Sequence, residues 1–131
     1  MKGFVTIDSC LINEEDLMVL NDQGEDISYN LVKSSGFLSS EVILVLVNLV
    51  ENIGYNAAYD LLKSAILKIT MLIKRKKEFH TDFQFEISCN GSVFSLKGNK
   101  ELTEQQMDKL VDAAVKVLIS EWKSGEKDDE Q

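Results

Sequence analysis

With 131 residues, 44% of them hydrophobic and 27% charged, the chain has the size and balance of one soluble globular domain with its own core. Its net charge of −8, single histidine, and two cysteines outside any CxxC spacing argue against a disulfide scaffold, a histidine-based metal cluster and a Ser-His-Asp triad within one chain. The longest apolar run, Val42–Val47, is far below the roughly 20 residues of a membrane span, and the opening MKGFVTIDSC lacks a secretory apolar run, so a cytoplasmic protein is expected.

Taken in order, Phe4-Val5-Thr6-Ile7 reads as a short strand. Asn13 then stands where a helix N-cap would be, and Glu14, Glu15 and Asp16 suit the first turn of a short helix. A strand at Leu17–Leu20, paired with Val5–Ile12 through the acidic turn, is the alternative. Asp22-Gln23-Gly24-Glu25-Asp26 is a turn. Ile27, Tyr29 and Leu31 alternate with Ser28, Asn30 and Val32 as in a half-buried strand. Ser34-Ser35-Gly36 is a break.

The segment Glu41–Asn52 is apolar nearly all round, and periodicity cannot separate a buried helix from a buried strand there. Ser39 or Ser40 as a start and Asn52-Ile53-Gly54 as a stop favour a helix, which would form an αα-hairpin with the next element. That element, Asn56–Lys77, is the helix on which the core is expected to be built. Ala58, Leu61, Leu62, Ala65, Ile66, Ile69, Leu72 and Ile73 fall at i, i+3, i+4 and i+7 spacing. Asn56 can cap it, and Lys74, Arg75, Lys76 and Lys77 suit the negative end of its dipole.

The period then changes to two. Phe83, Phe85, Ile87 and Cys89 alternate with polar residues, Asn90-Gly91 follows, and Val93–Lys97 forms a second run. Asn-Gly between alternating strands signals a two-residue type I′ hairpin, which pairs Cys89 with Ser92, Ile87 with Phe94 and Phe85 with Leu96. Thr103-Glu104-Gln105-Gln106 is a capping box for a last helix, with Met107, Leu110, Val111, Ala114, Leu118 and Trp122 on one face and an end near Lys123-Ser124-Gly125. The expected architecture is a two-layer α+β domain over residues 1–125, in the order β-α-β-α-α-β-β-α. In it a small antiparallel or mixed sheet packs on the long helix and the last helix, and residues 126–131 form a disordered acidic tail.

No motif in the chain states a chemistry. His80 reads as a surface residue, and Cys10 and Cys89 as free structural thiols. No Asp/Glu spacing matches a calcium loop and no Gly-rich phosphate loop is present, so no cofactor and no metal are expected. Charge is the remaining signal. Residues 1–60 hold ten acids against two lysines, whereas residues 61–80 hold five lysines and one arginine against one acid. The acidic third, Glu14, Glu15, Asp16, Asp22, Glu25 and Asp26, is the first candidate partner-binding surface; the basic knot Lys74, Arg75, Lys76 and Lys77 is the second. An acidic surface with one basic knot disfavours direct nucleic-acid binding and fits a basic protein partner. The apolar segment Val42–Val50 lies centrally in the core or else serves a homodimer interface.

The run Ile53-Gly54, then Ala57–Lys77 ending in the basic cluster, a strand, Asn90-Gly91, a second strand and a last helix resembles the effector-associated constant component domains of bacterial conflict systems. The likeness covers roughly residues 41–120 and lies in the succession of elements. It implies a non-catalytic interaction module that couples effectors to partners, and it transfers no functional residue. The expectation is a non-enzymatic adaptor or inhibitor of bacterial or phage origin. An acidic immunity or anti-defence inhibitor that occludes the nucleic-acid site of a nuclease or toxin is the alternative within binding proteins. A small enzyme using carboxylate chemistry is the alternative from another class.

Overall fold

The computed structural model describes residues 2–9, 11–22, 26–32, 42–75, 82–99 and 101–129, the last five of them by backbone alone. The elements are β1 (Gly3–Asp8), α1 (Glu14–Asn21), β2 (Ile27–Leu31), β3 (Val42–Leu49), α2 (Tyr55–Lys74), β4 (Asp82–Cys89), β5 (Ser92–Asn99) and α3 (Glu104–Asp129). The chain is thus α+β, with helices packed on a five-stranded mixed sheet of order β2-β1-β3-β4-β5. β1 pairs with β2 and β3 with β4 in parallel, while β1 with β3 and β4 with β5 run antiparallel.

One expected element is corrected. Val42–Leu49 is not a helix but the central strand, so the observed order is β-α-β-β-α-β-β-α and no αα-hairpin precedes α2. The reason lies in the composition of the run. β-Branched valine and isoleucine alternate with leucine and suit a pleated surface better than a helix turn. Its inward side and all of its outward side but Asn48 are apolar, so no polar alternation marks the run as a strand. Ile43, Val45, Val47 and Leu49 enter the core, while Leu44 and Leu46 point away from it. The supposed stop signal is then the entry to α2, whose N-cap is Gly54 rather than Asn56, with no side-chain cap bond.

Other expectations hold. At α1 the Asn13 side chain accepts from the Asp16 N–H at 2.9 Å and the Asp16 carboxylate accepts from the Asn13 N–H at 3.0 Å, a reciprocal cap that settles this segment as helix. The hairpin register is the one the two-residue turn requires: Cys89 opposite Ser92, Ile87 opposite Phe94, Phe85 opposite Leu96. Asn90 and Gly91 carry the positive φ angles of the turn, 49° and 96°. Thr103 and Gln106 form the expected box, with the Gln106 N–H donating to the Thr103 hydroxyl and the Thr103 N–H to the Gln106 side-chain Oε1. The end of the last helix is a second correction: α3 does not stop near Lys123-Ser124-Gly125 ahead of a disordered tail but runs on to Asp129, since a single glycine inside a helix costs only about 1 kcal/mol. The starts at Ser39 and Ser40, the break at Ser34-Ser35-Gly36, and Cys10 and His80 lie outside the described residues.

The core sits between one sheet face and the helices. Val5, Ile7, Tyr29, Ile43, Val45, Val47, Phe83, Phe85 and Ile87 line the sheet side, and Leu62, Ile66, Ile69, Met107, Val111, Leu118 and Ile119 cover them. Phe94 shares that face but, on an edge strand, is only half-buried. Two asparagines extend the sheet with their side-chain amides. Asn90 donates to the Leu49 carbonyl at 2.9 Å and accepts from the Leu49 N–H at 2.8 Å, while Asn21 does the same for Tyr29 on edge strand β2 at 2.9 and 2.8 Å. Each satisfies a backbone donor and acceptor of a strand residue.

Candidate docking face

The second face of the sheet carries no helix among the described residues. Its residues follow from the register. Asp8 lies opposite Leu44, Leu44 opposite Glu86, and Glu86 opposite Ser95, so one row across the strands reads Asp8-Leu44-Glu86-Ser95. The next row reads Asn30-Thr6-Leu46-Ser88-Val93, and a third reads Val42-Gln84-Lys97. The apolar members are open to solvent: Phe4 by 50%, Leu44 by 37%, Leu46 by 45% and Val93 by 61%. Between them lies a shallow hollow of about 340 Å³, bounded by Thr6, Asp8, Val32, Leu44, Leu46, Glu86, Ser88 and Val93. Sheet faces that meet only water alternate polar residues outward; this one sets leucines at its centre.

Two carboxylates stand on either side of Leu44. Neighbouring strands are about 4.8 Å apart, so Asp8 and Glu86 are separated by about 10 Å across the face. Glu86 accepts from the Ser95 hydroxyl at 2.6 Å and from the Gln84 amide. The Ser95 bond, then the Gln84 bond, and the charge of Lys97 hold its carboxyl below the ordinary value, so it is charged at neutral pH. Asp8 is different. Its Oδ1 is shut off from water and has no hydrogen-bond partner among the described residues. A buried acceptor left without a donor is costly and uncommon.

The expected acidic set is spread along α1 and the segment that follows it. Glu14 and Glu15 are exposed in the first turn of α1, while Asp16 spends its carboxylate on the Asn13 cap. Asp22 follows the last turn of that helix, so about 12 Å of helix separates it from Glu14. Asp26 meets Lys2 at 3.7 Å and accepts through its backbone carbonyl from Lys2 and Gly3 at the start of β1. Glu25 lies outside the described residues. In the basic knot, the Lys74 ammonium donates to the Leu102 carbonyl and Arg75 is the C-cap of α2, beside a hollow of about 270 Å³ against Val19 of α1; Lys76 and Lys77 lie outside the described residues.

A polar cluster between α2 and α3 is absent from the sequence reading. The Tyr59 hydroxyl donates to the Asp112 carboxylate; Lys63 lies 3.3 Å from Asp112 and 3.4 Å from Asp108, and Lys116 lies 2.9 Å from Asp112. The Tyr59 bond, then those of Lys116 and Lys63, hold the Asp112 carboxyl well below the usual carboxylate range. Burial opposes the charge on Lys63, yet its bonds to Asp112 and Tyr59 and the charge of Asp108 outweigh that and raise its pKa. The four-residue spacings Tyr59–Lys63, Asp108–Asp112 and Asp112–Lys116 are legible in the sequence as helix-surface ladders; only the packing of α2 on α3 joins them. Since Asp112 is engaged from three sides, the cluster acts as a clamp between the helices.

Among the described residues no group of three or more His, Cys, Asp or Glu side chains could hold a metal ion. Among them, too, no helix is long and apolar enough to cross a membrane. Comparisons with protein-family models, with curated proteins and with solved structures return no match.

Proposed function

We propose that this chain is a non-catalytic, cytoplasmic protein-interaction module, an adaptor or inhibitor, that receives a positively charged partner protein on its open sheet face. The observation that carries the reading is the central strand β3, which sets Leu44 and Leu46 on its outward side while the described helices cover the other side only. A run such as VILVLVNL belongs to strands buried on both faces, and an exposed apolar patch rimmed by polar groups marks an interaction site. The net charge of −8 would speed association with a basic partner and make it sensitive to salt. Glu14 and Glu15 then contribute to the field around the protein and do not form the contact itself.

Affinity capture from the native host, quantified by mass spectrometry, tests this with three baits: the wild type, Leu46→Glu, and the double reversal Glu14→Lys/Glu15→Lys. Partners of the face should disappear with Leu46→Glu and be only partly reduced with the double reversal. A capture profile unchanged by Leu46→Glu refutes the reading.

A further inference from the structure

The occupant of the face can be given a chemistry, an inference that rests on the docking reading above. The geometry points to an amphipathic helix of a partner protein, apolar along one stripe and carrying arginine or lysine on both flanks of that stripe. Parallel strand pairs are covered on both faces, as a rule by helices. Here β1/β2 and β3/β4 are parallel, and all the covering helices described lie on one side. A helix with its side chains is about 10–12 Å across, which matches the separation of about 10 Å between Asp8 and Glu86. Laid along β3, such a helix sets its stripe on Leu44 and Leu46 and brings one flank over each carboxylate. A guanidinium on the Asp8 side also places its charge against that carboxylate.

Charge separates this occupant from others. Among the described residues, the ionisable ones on the face are Asp8, Asp82, Glu86 and Lys97, a surplus of two negative charges. A second copy packed face to face would set that surplus against itself, and an anionic lipid surface would be repelled in the same way. A strand added to the edge of β5 would use backbone groups and leave Leu44 and Leu46 uncovered.

Fluorescence anisotropy with the full chain tests the inference. The probes are three labelled 18-residue helical peptides: leucine stripe with arginine flanks, leucine stripe with glutamate flanks, and arginine flanks with the stripe changed to serine. The first should bind at least about tenfold more tightly than either of the others, because each lacks one of the two matched features. Leu46→Glu and Leu46→Ser should each weaken it about tenfold, Asp8→Asn and Glu86→Gln severalfold, and Glu14→Lys/Glu15→Lys much less. Equal binding of the arginine- and glutamate-flanked peptides overturns the cationic occupant, and equal binding of the serine-stripe peptide reduces the effect to general attraction. A dimer seen by light scattering and abolished by Leu46→Glu assigns the face to a second copy instead. Thermal melts supply the folding control. A fall of more than about 5 °C for both Leu46 variants means that the chain itself covers the face, which also overturns the inference. Should no peptide bind while Leu46→Glu still strips partners from the capture, the helix falls and the docking reading stands; should neither respond, both fall.

Discussion

Replacing Asn90 should cost more stability with alanine than with glycine, by an amount that separates its two roles. The first role is conformational. Asn90 opens the β4–β5 turn at φ 49°, a left-handed conformation that costs most L residues roughly 1–2 kcal/mol and that asparagine and glycine tolerate. The second is a pair of hydrogen bonds, 2.8 and 2.9 Å long, joining its amide to the N–H and C=O of Leu49 at the end of β3. At about 0.5–1.5 kcal/mol each, their loss amounts to about 1–3 kcal/mol, and more where water cannot replace them. Asn90→Gly forfeits the bonds alone, so about 1–3 kcal/mol is expected. Asn90→Ala also strains the turn, for a total of about 2–5 kcal/mol. The bond from the Asn90 N–H to the Val47 carbonyl, at 3.1 Å, is a backbone contact that both variants keep. Urea unfolding followed by circular dichroism, with the slope held common, gives both values. Equal losses would refute the conformational argument. A loss below about 0.5 kcal/mol in both would refute the bridge to Leu49, and with it the placement of β3 beside the hairpin.

Truncation should separate the hairpin's core residue from its edge residue: Phe85→Ala, fully buried, should cost about 3–5 kcal/mol, and half-buried Phe94→Ala about 1–2 kcal/mol in the same melts. Equal costs would refute the assignment of β5 as an edge. Burial pushes the Cys89 thiol up to about 12 from 9.0, so in a Cys10→Ser background it should react with iodoacetamide only as the chain unfolds; fast labelling under native conditions refutes its burial. Because its folded value is the higher one, the stability it contributes is complete below pH 9 and should fall by up to about 1.4 kcal/mol per pH unit above it. Asp112 works in the opposite sense. Its depressed carboxyl contributes stability above its ordinary value of 3.8, and that contribution is lost as the pH falls through the lower folded value. Tyr59→Phe should move its carbon-detected NMR titration upward; an unmoved titration refutes the hydroxyl bond as the main cause.

Local signals in the sequence determined much of this protein. The Asn13/Asp16 cap, the Asn90-Gly91 turn and the Thr103/Gln106 box are each satisfied within four residues of chain, so their hydrogen bonds form whatever packs around them. The hairpin register followed from loop length because a strand's side chains alternate with a period of two. The stripe of α2 was legible for the same kind of reason: Ala58, Leu62, Ala65, Ile66, Ile69 and Ile73 are buried as their spacing requires, while Leu61 and Leu72 at its margin are half-buried. What only the tertiary structure decided is what a neighbour supplies. Residues 42–49 have no polar face to betray a period, so a helix and a central strand fit the run alike until β1 and β4 pair with it on either side. The docking face has the same origin: Asp8, Leu44 and Glu86 lie on three strands far apart in sequence and become one row only when the sheet forms. The acidic third is close along the chain, and α1 spaces Glu14 and Asp22 about 12 Å apart, a distance set by the helix and not by the sequence interval alone. Proximity in sequence fixes local hydrogen bonds, whereas a binding surface is assembled by long-range pairing, which no short window of residues contains.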